Sequence, residues 1–89
     1  MLFATALSAC GVSPQKACEA QVELWSKAGK VKDAEGQKKT MALCVKEAEA
    51  LKEKDPEHYK CRANCDVHAS DADGMMNCHD SCSREFRKK

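Results

Sequence analysis

Length, composition and charge restrict this sequence to a small class of proteins. It has 89 residues, a formal net charge of +1 and four aromatic residues, but seven cysteines. A chain of this length forms one small domain with a marginal core, and this cysteine content is typical of exported domains reinforced by disulfides. The mixed, nearly neutral charge excludes the basic footprint of a nucleic-acid binder. The sequence has no run of about twenty apolar residues, so it contains no ordinary membrane span.

The N-terminal segment ends in a pattern that predicts lipid attachment. Leu7-Ser8-Ala9-Cys10 resembles the lipobox of bacterial lipoproteins, where an aliphatic residue and two small residues precede the lipidated cysteine. The resemblance implies that 1–9 is a truncated signal segment, since no Lys or Arg precedes Lys16. It also implies that Cys10 carries the lipid and that 10–13 forms a short tether. Gly11, rather than Asp, follows the cysteine, which implies delivery to the outer membrane.

If Cys10 carries lipid, six cysteines remain, and an even number can pair completely.

Ser13-Pro14 is a helix start, and Gly29 predicts the end of that helix near 28. Asp33 is expected to cap a second helix that ends near 54, before Pro56. Gly36 is expected to weaken its first turn. The apolar positions of this second helix form a narrow stripe: Met41, Cys44, Val45, Ala48 and Leu51.

The short connection between these helices predicts an antiparallel pair. Cys18 and Cys44 each lie on the apolar stripe of their own helix, so we expect a Cys18–Cys44 disulfide. Trp25 is expected to pack over this bond as a core anchor.

Two Cys-x-x-x-Cys units dominate the second half of the chain. Asp55-Pro56 predicts a third helix to about 68. Ser70-Asp71-Ala72-Asp73 has the form of a capping box, with Ser70 as the N-cap of a fourth helix to about Phe86. Residues four apart share a helix face, but their Cβ atoms are about 5–6 Å apart. A disulfide needs a Cβ–Cβ distance of about 3.8 Å, so a bond within one Cys-x-x-x-Cys unit is disfavoured. Between antiparallel helices, the cysteines nearest the turn face each other, and so do those furthest from it. This geometry predicts the disulfides Cys65–Cys78 and Cys61–Cys82.

This arrangement resembles, over 61–82 alone, the twin Cys-x3-Cys hairpin of the small Tim chaperones. The family's activity depends on long apolar helix arms and hexamer assembly. Here the last helix continues only from Ser83 to Lys89 after its final cysteine. We therefore carry over the bond pattern and not the chaperone activity.

Other chemistry in the sequence carries less weight. If the four hairpin cysteines were reduced, they could bind zinc. Met75, Met76 and His79, with help from the cysteines, could bind copper. However, oxidation of the cysteines is expected in an exported protein. We therefore predict no metal and no cofactor. Asp71-x-Asp73-Gly74 resembles part of a calcium loop, but an acidic turn and helix cap explains it better. The histidines show no catalytic constellation and are expected at the surface or in hairpin packing: His58, His68 and His79.

The last helix ends in a basic tail: Arg84, Arg87, Lys88 and Lys89. It is expected to complement the helix dipole, or to contact anionic lipid headgroups near the anchor.

Taken together, these patterns predict an all-α protein whose single domain, 14–89, consists of two disulfide-stapled antiparallel helical hairpins with about four helices. The predicted function is non-enzymatic: a lipid-anchored envelope protein that has a structural role or binds another envelope protein. One alternative is a metal-handling or redox protein that uses the four hairpin cysteines. Another is an immunity or inhibitor lipoprotein.

Overall fold

Four helices joined by short turns account for most of the residues that the structure, a computed structural model, describes: 12–87. They are α1 (Pro14–Lys27), α2 (Ala34–Lys54), α3 (Pro56–His68) and α4 (Ala72–Arg87), and this range contains no strand. The all-α prediction and the two-hairpin architecture are confirmed. Cys10, the segment before it and the two final lysines lie outside the described residues.

Each helix begins with a side-chain oxygen that accepts a hydrogen bond from the backbone N–H three residues later. The N-caps in chain order are Ser13, Asp33, Asp55 and Asp71. Three of these were predicted. The fourth prediction was wrong: the cap is Asp71 and not Ser70. The Asp71 Oδ1 atom accepts from the Gly74 N–H at 2.7 Å, and the first residue of α4 is Ala72.

The second helix of each hairpin starts with the same four-residue pattern. It reads Asp33-Ala-Glu-Gly36 in α2 and Asp71-Ala-Asp-Gly74 in α4. A Cβ atom at Gly36 would lie 2.9 Å from Asp33 Oδ1, and one at Gly74 would lie 3.1 Å from Asp71 Oδ1. Gly36, expected only to weaken α2, therefore also leaves room for the short Asp side chain to reach the backbone.

The end of α1 uses a glycine for its backbone conformation. Gly29 has a φ of +78°, which L side chains rarely adopt. The Gly29 N–H donates to the Ser26 carbonyl, and the Lys30 N–H donates to the Trp25 carbonyl. This is a Schellman motif, and it confirms that Gly29 ends α1.

Helices α1 and α3 form the centre of the molecule, with α2 on one side and α4 on the other. Within 12–87, no Cα atom of α2 lies within 8 Å of a Cα atom of α4. The central apolar cluster consists of Ala17, Tyr59 and Ala63, against which the half-buried Val12, Ala48 and Leu51 pack. The five predicted apolar positions of α2 are all half-buried and none is fully buried. Helix α2 therefore lies on the domain instead of inside it.

Two further side chains test the predicted core. Met75, expected on the cysteine face of α4, is completely buried. Trp25 is only half-buried, so it is a less enclosed anchor than the sequence predicted. Among the helices of the described range, none combines the length and the hydropathy that crossing a bilayer requires.

Candidate functional site

Three disulfides connect the helices, and all three predicted pairs are present. Cys18–Cys44 joins α1 to α2 with a Cα–Cα distance of 5.8 Å. Cys61–Cys82 and Cys65–Cys78 join α3 to α4 at 6.0 and 5.6 Å. These spacings lie in the range that disulfides prefer. Every cysteine in the described part of the chain is therefore paired with another in the same part.

An aromatic pair extends the α3–α4 hairpin beyond its two disulfides. The His58 and Phe86 rings stack with their centroids 5.3 Å apart and their planes 8° apart. His58 lies one turn before Cys61, and Phe86 lies one turn after Cys82. The hairpin thus has three successive cross-links between its helices. Phe86 was predicted on this face, but His58 was not identified as its partner.

The two hairpin disulfides are close to each other as well as to the core. The Sγ atoms of Cys65 and Cys82 lie 3.7 Å apart although they belong to different bonds. The sulfurs of Cys65, Cys78 and Cys82 all lie within 4.8 Å of one another. A sulfur in a disulfide is not a thiolate and is not an ordinary zinc ligand. The oxidised hairpin is therefore a structural unit, and only its reduced form could bind metal through these atoms.

A buried polar pair lies beside the disulfides. The Nε2 atom of His79, on α4, is 2.7 Å from Oδ1 of Asp66, on α3. Asp66 is 6% exposed and His79 is 8% exposed. A carboxylate only accepts hydrogen bonds, so the imidazole Nε2–H donates to it. Because both groups are buried, a substrate could reach them only if the helices separated. The pair is therefore better placed to fix how the two helices pack than to catalyse a reaction.

Gln21 connects this pair to the first hairpin. Its Nε2 atom donates to Asp66 Oδ1 at 3.4 Å, and its Oε1 atom lies 3.5 Å from the Cys44 sulfur. These groups border a cavity of about 40 Å³ where α1, α2 and α3 meet. One carboxylate thus receives hydrogen bonds from both neighbouring helices, α1 and α4, which fixes how the two hairpins sit on each other.

Tyr59 joins the segment before α1 to α3. Its hydroxyl donates a hydrogen bond to the backbone carbonyl of Val12. Burial raises the pKa of this phenol above its ordinary value of 10, and the negative charge of Asp66 raises it further. The neutral, donating form of Tyr59 is therefore favoured in the folded protein.

The sequence predicted the cysteine pairs but missed the polar pair that lies beside them. Asp66 directly follows Cys65, and His79 directly follows its partner Cys78. Each of these residues is rotated by about 100° around its helix from the cysteine before it. In an antiparallel pair of helices, this rotation brings both residues to the same side of the hairpin. This spacing could have identified the pair. His79 was expected at the surface or in hairpin packing; the second alternative is correct, but Asp66 was not identified as its partner.

Comparison of the chain with protein-family models, with curated proteins and with solved structures gave no match.

Proposed function

We propose that this protein is a non-enzymatic, lipid-anchored component of the bacterial cell envelope. In this proposal Cys10 carries the lipid, the outer membrane is the destination, and the stapled domain presents a rigid surface to another envelope protein. One observation carries the proposal. The six cysteines of the described range satisfy one another completely, so the domain needs no bond from Cys10, the residue at the lipobox position.

The architecture suits this role in a second way. Disulfides persist in oxidising compartments such as the bacterial periplasm. A central apolar cluster of two alanines and one tyrosine, with three half-buried neighbours, is a thin core for four helices, and the disulfides compensate for it. The fold therefore fits an exported protein better than a cytosolic one.

Metabolic labelling with a palmitate analogue tests the anchor. The protein is expressed in its native host from its own gene, and the membrane fraction is examined for label. We expect label on the wild type and none on Cys10→Ser. Ser8→Ala keeps a small residue at its lipobox position and is the matched control, which should retain the label. An unlabelled wild-type protein with a free Cys10 thiol would refute the proposal.

A second candidate function follows from the sulfur geometry. A tetrahedral zinc site with bonds of about 2.3 Å has sulfur–sulfur distances of about 3.8 Å. The Cys65–Cys82 sulfur distance of 3.7 Å is close to this value, and the sulfurs of Cys65, Cys78 and Cys82 lie within 4.8 Å of one another. The reduced hairpin would then be a four-thiolate site for zinc, formed from Cys61, Cys65, Cys78 and Cys82.

Zinc titration of the reduced Cys10→Ser chain tests this candidate. One equivalent of zinc should restore helical circular dichroism, and Cys65→Ser should weaken the binding at least tenfold. Cys18→Ser should leave the affinity unchanged, because Cys18 lies in the other hairpin. If zinc does not restore structure in the reduced chain, this second function is excluded.

A further inference from the structure

The Tyr59 hydrogen bond limits how far a lipid on Cys10 could lie from the domain. Tyr59 donates to the Val12 carbonyl, and Val12 also packs against the central apolar cluster. Val12 is therefore held on α3 by a polar and an apolar contact. Two residues further back, Cys10 can be at most about 7 Å from Val12 along an extended chain. A lipid on Cys10 would therefore be attached close to one end of the helical domain.

The same end of the domain carries the last residues of α2 and α4. Leu51, in the last turn of α2, packs against the cluster that contains Tyr59. His58, beside Tyr59 in α3, stacks on Phe86 near the end of α4. We call this region the anchor end and define it by Val12, Lys52, Tyr59, Phe86 and Arg87. Its five residues bring together the start of α1, the end of α2, the start of α3 and the end of α4.

Positive side chains are exposed at the anchor end. The Lys52 Nζ atom lies 5.8 Å from the centre of the Tyr59 ring. Lys52 and Arg87 are both exposed, and the sequence continues after Arg87 with two more lysines. Lys54 adds to this charge, Glu53, Glu57 and Glu85 oppose it, and Arg84 is paired with Asp80 at 2.6 Å. The charges of the described residues at this end therefore nearly balance, so any membrane contact depends on the individual side chains of Lys52 and Arg87 in a domain that is already tethered, and not on net charge.

We infer that the anchor end faces the bilayer and contacts its anionic phospholipid headgroups through Lys52 and Arg87. This inference rests on the proposed lipid on Cys10. A Lys or Arg near an anionic bilayer contributes about 1 kcal/mol, and this effect fades within a Debye length of about 8 Å. Only residues close to the anchor can therefore contribute. The opposite end, with the α1–α2 and α3–α4 connections, faces away from the membrane and remains accessible to a protein partner.

Quenching by brominated lipids tests this orientation. Because the other six cysteines are paired, Cys10 is the thiol that couples to a maleimide-bearing lipid in a vesicle, whether or not cells lipidate it. Trp25 is the only tryptophan, and it lies eleven residues beyond Pro14, about 16 Å along α1. A second probe combines Trp25→Phe with Phe86→Trp, after circular dichroism has shown that this variant is folded.

We expect the indole at position 86 to be quenched at least threefold more strongly than Trp25 in vesicles containing phosphatidylglycerol. The difference should shrink in phosphatidylcholine vesicles or at high salt. Equal quenching of the two probes, or stronger quenching of Trp25, would overturn the orientation. If quenching at position 86 did not depend on anionic lipid, the headgroup contact would be refuted.

A charge-reversal pair provides a test that leaves the core intact. Lys52→Glu with Arg87→Glu should abolish the dependence on anionic lipid. Lys30→Glu with Lys32→Glu, exposed in the connection at the opposite end, makes the same change in net charge and should leave quenching unchanged. If both pairs acted alike, net charge and not the anchor end would determine the orientation. The palmitate experiment fails or succeeds independently of these vesicle measurements, so the two failures can be told apart.

Discussion

Single hydrogen bonds determine how the segments of this protein meet. Tyr59 holds Val12, Asp66 holds His79 and Gln21, and each of these contacts crosses between elements. The Asp66–His79 pair could have been identified from its spacing to the paired cysteines, but the contacts of Tyr59 and Gln21 could not, because helical periodicity identifies the buried face of a helix and not the residue opposite. The side-chain hydrogen bonds between helices are therefore the feature that the sequence predicted least well, and substitutions of these residues are the most informative.

Asp66→Ala is expected to destabilise the fold by about 1–3 kcal/mol, because it leaves the buried His79 imidazole without its partner. Asp66→Asn keeps an oxygen that can accept from His79 and should cost less. Urea denaturation of the oxidised chain measures both values. A cost for alanine no larger than that for asparagine would show that the hydrogen bond does not contribute.

Tyr59 predicts a pH dependence of stability on the alkaline side. Its pKa in the folded state is raised above 10, so the folded chain holds this proton more tightly than the unfolded chain does. The contribution is complete below the unfolded pKa of about 10 and is lost as pH rises toward the folded value. The ultraviolet absorbance of tyrosinate gives this pKa directly, since Tyr59 is the only tyrosine.

The same titration has a stability counterpart. Urea denaturation of the Cys10→Ser chain should show a decrease in stability above pH 10 that is smaller in the Tyr59→Phe variant. Cys10→Ser prevents thiol exchange at these pH values. A tyrosine that titrates at or below 10 in the folded chain would contradict the prediction.

At the scale of helices, faces and boundaries follow from local sequence. The helix ends at Gly29 and before Pro56, three of the four N-caps and all three disulfide pairs were predicted, because each depends on residues close in sequence or on helix geometry. The start of α4 was not, since Ser70 and Asp71 are neighbouring residues of types that both cap helices well. Only the position of the Asp71 carboxylate over the Gly74 N–H distinguishes them.

The cap assignment predicts unequal effects of two adjacent substitutions. Asp71→Ala should destabilise the protein by about 1 kcal/mol, because the N–H of Gly74 loses its acceptor. Ser70→Ala should change stability by less than about 0.5 kcal/mol, as surface substitutions usually do. Thermal or urea denaturation compares the two variants directly. A larger effect at Ser70 would restore the capping box that the sequence suggested.

Helix α2 depends on its disulfide more than the other helices do. It has no fully buried residue, and Leu43 on its surface is 58% exposed. Replacing both Cys18 and Cys44 by Ala should therefore cost about 3 kcal/mol in the chain-entropy model, with the loss concentrated in α2. Hydrogen exchange should accelerate in α2 while α3 and α4 stay protected. The matched double substitution of Cys65 and Cys78 should instead accelerate hydrogen exchange in α3 and α4. Equal acceleration of exchange in all helices of both variants would contradict the prediction.

The whole molecule depends on the three disulfides acting together. Each closes a loop worth about 3 kcal/mol, and their sum is comparable to the total stability of a small domain, about 5–15 kcal/mol. We therefore expect excess dithiol to unfold the chain at room temperature, seen as loss of helical circular dichroism. Reoxidation should restore the helices and lower the intact mass by six hydrogens, two for each bond among the six paired cysteines. A fully reduced, metal-free chain that kept its native helicity would show that the apolar cluster is sufficient alone, and the disulfides would no longer explain why so small a core holds four helices.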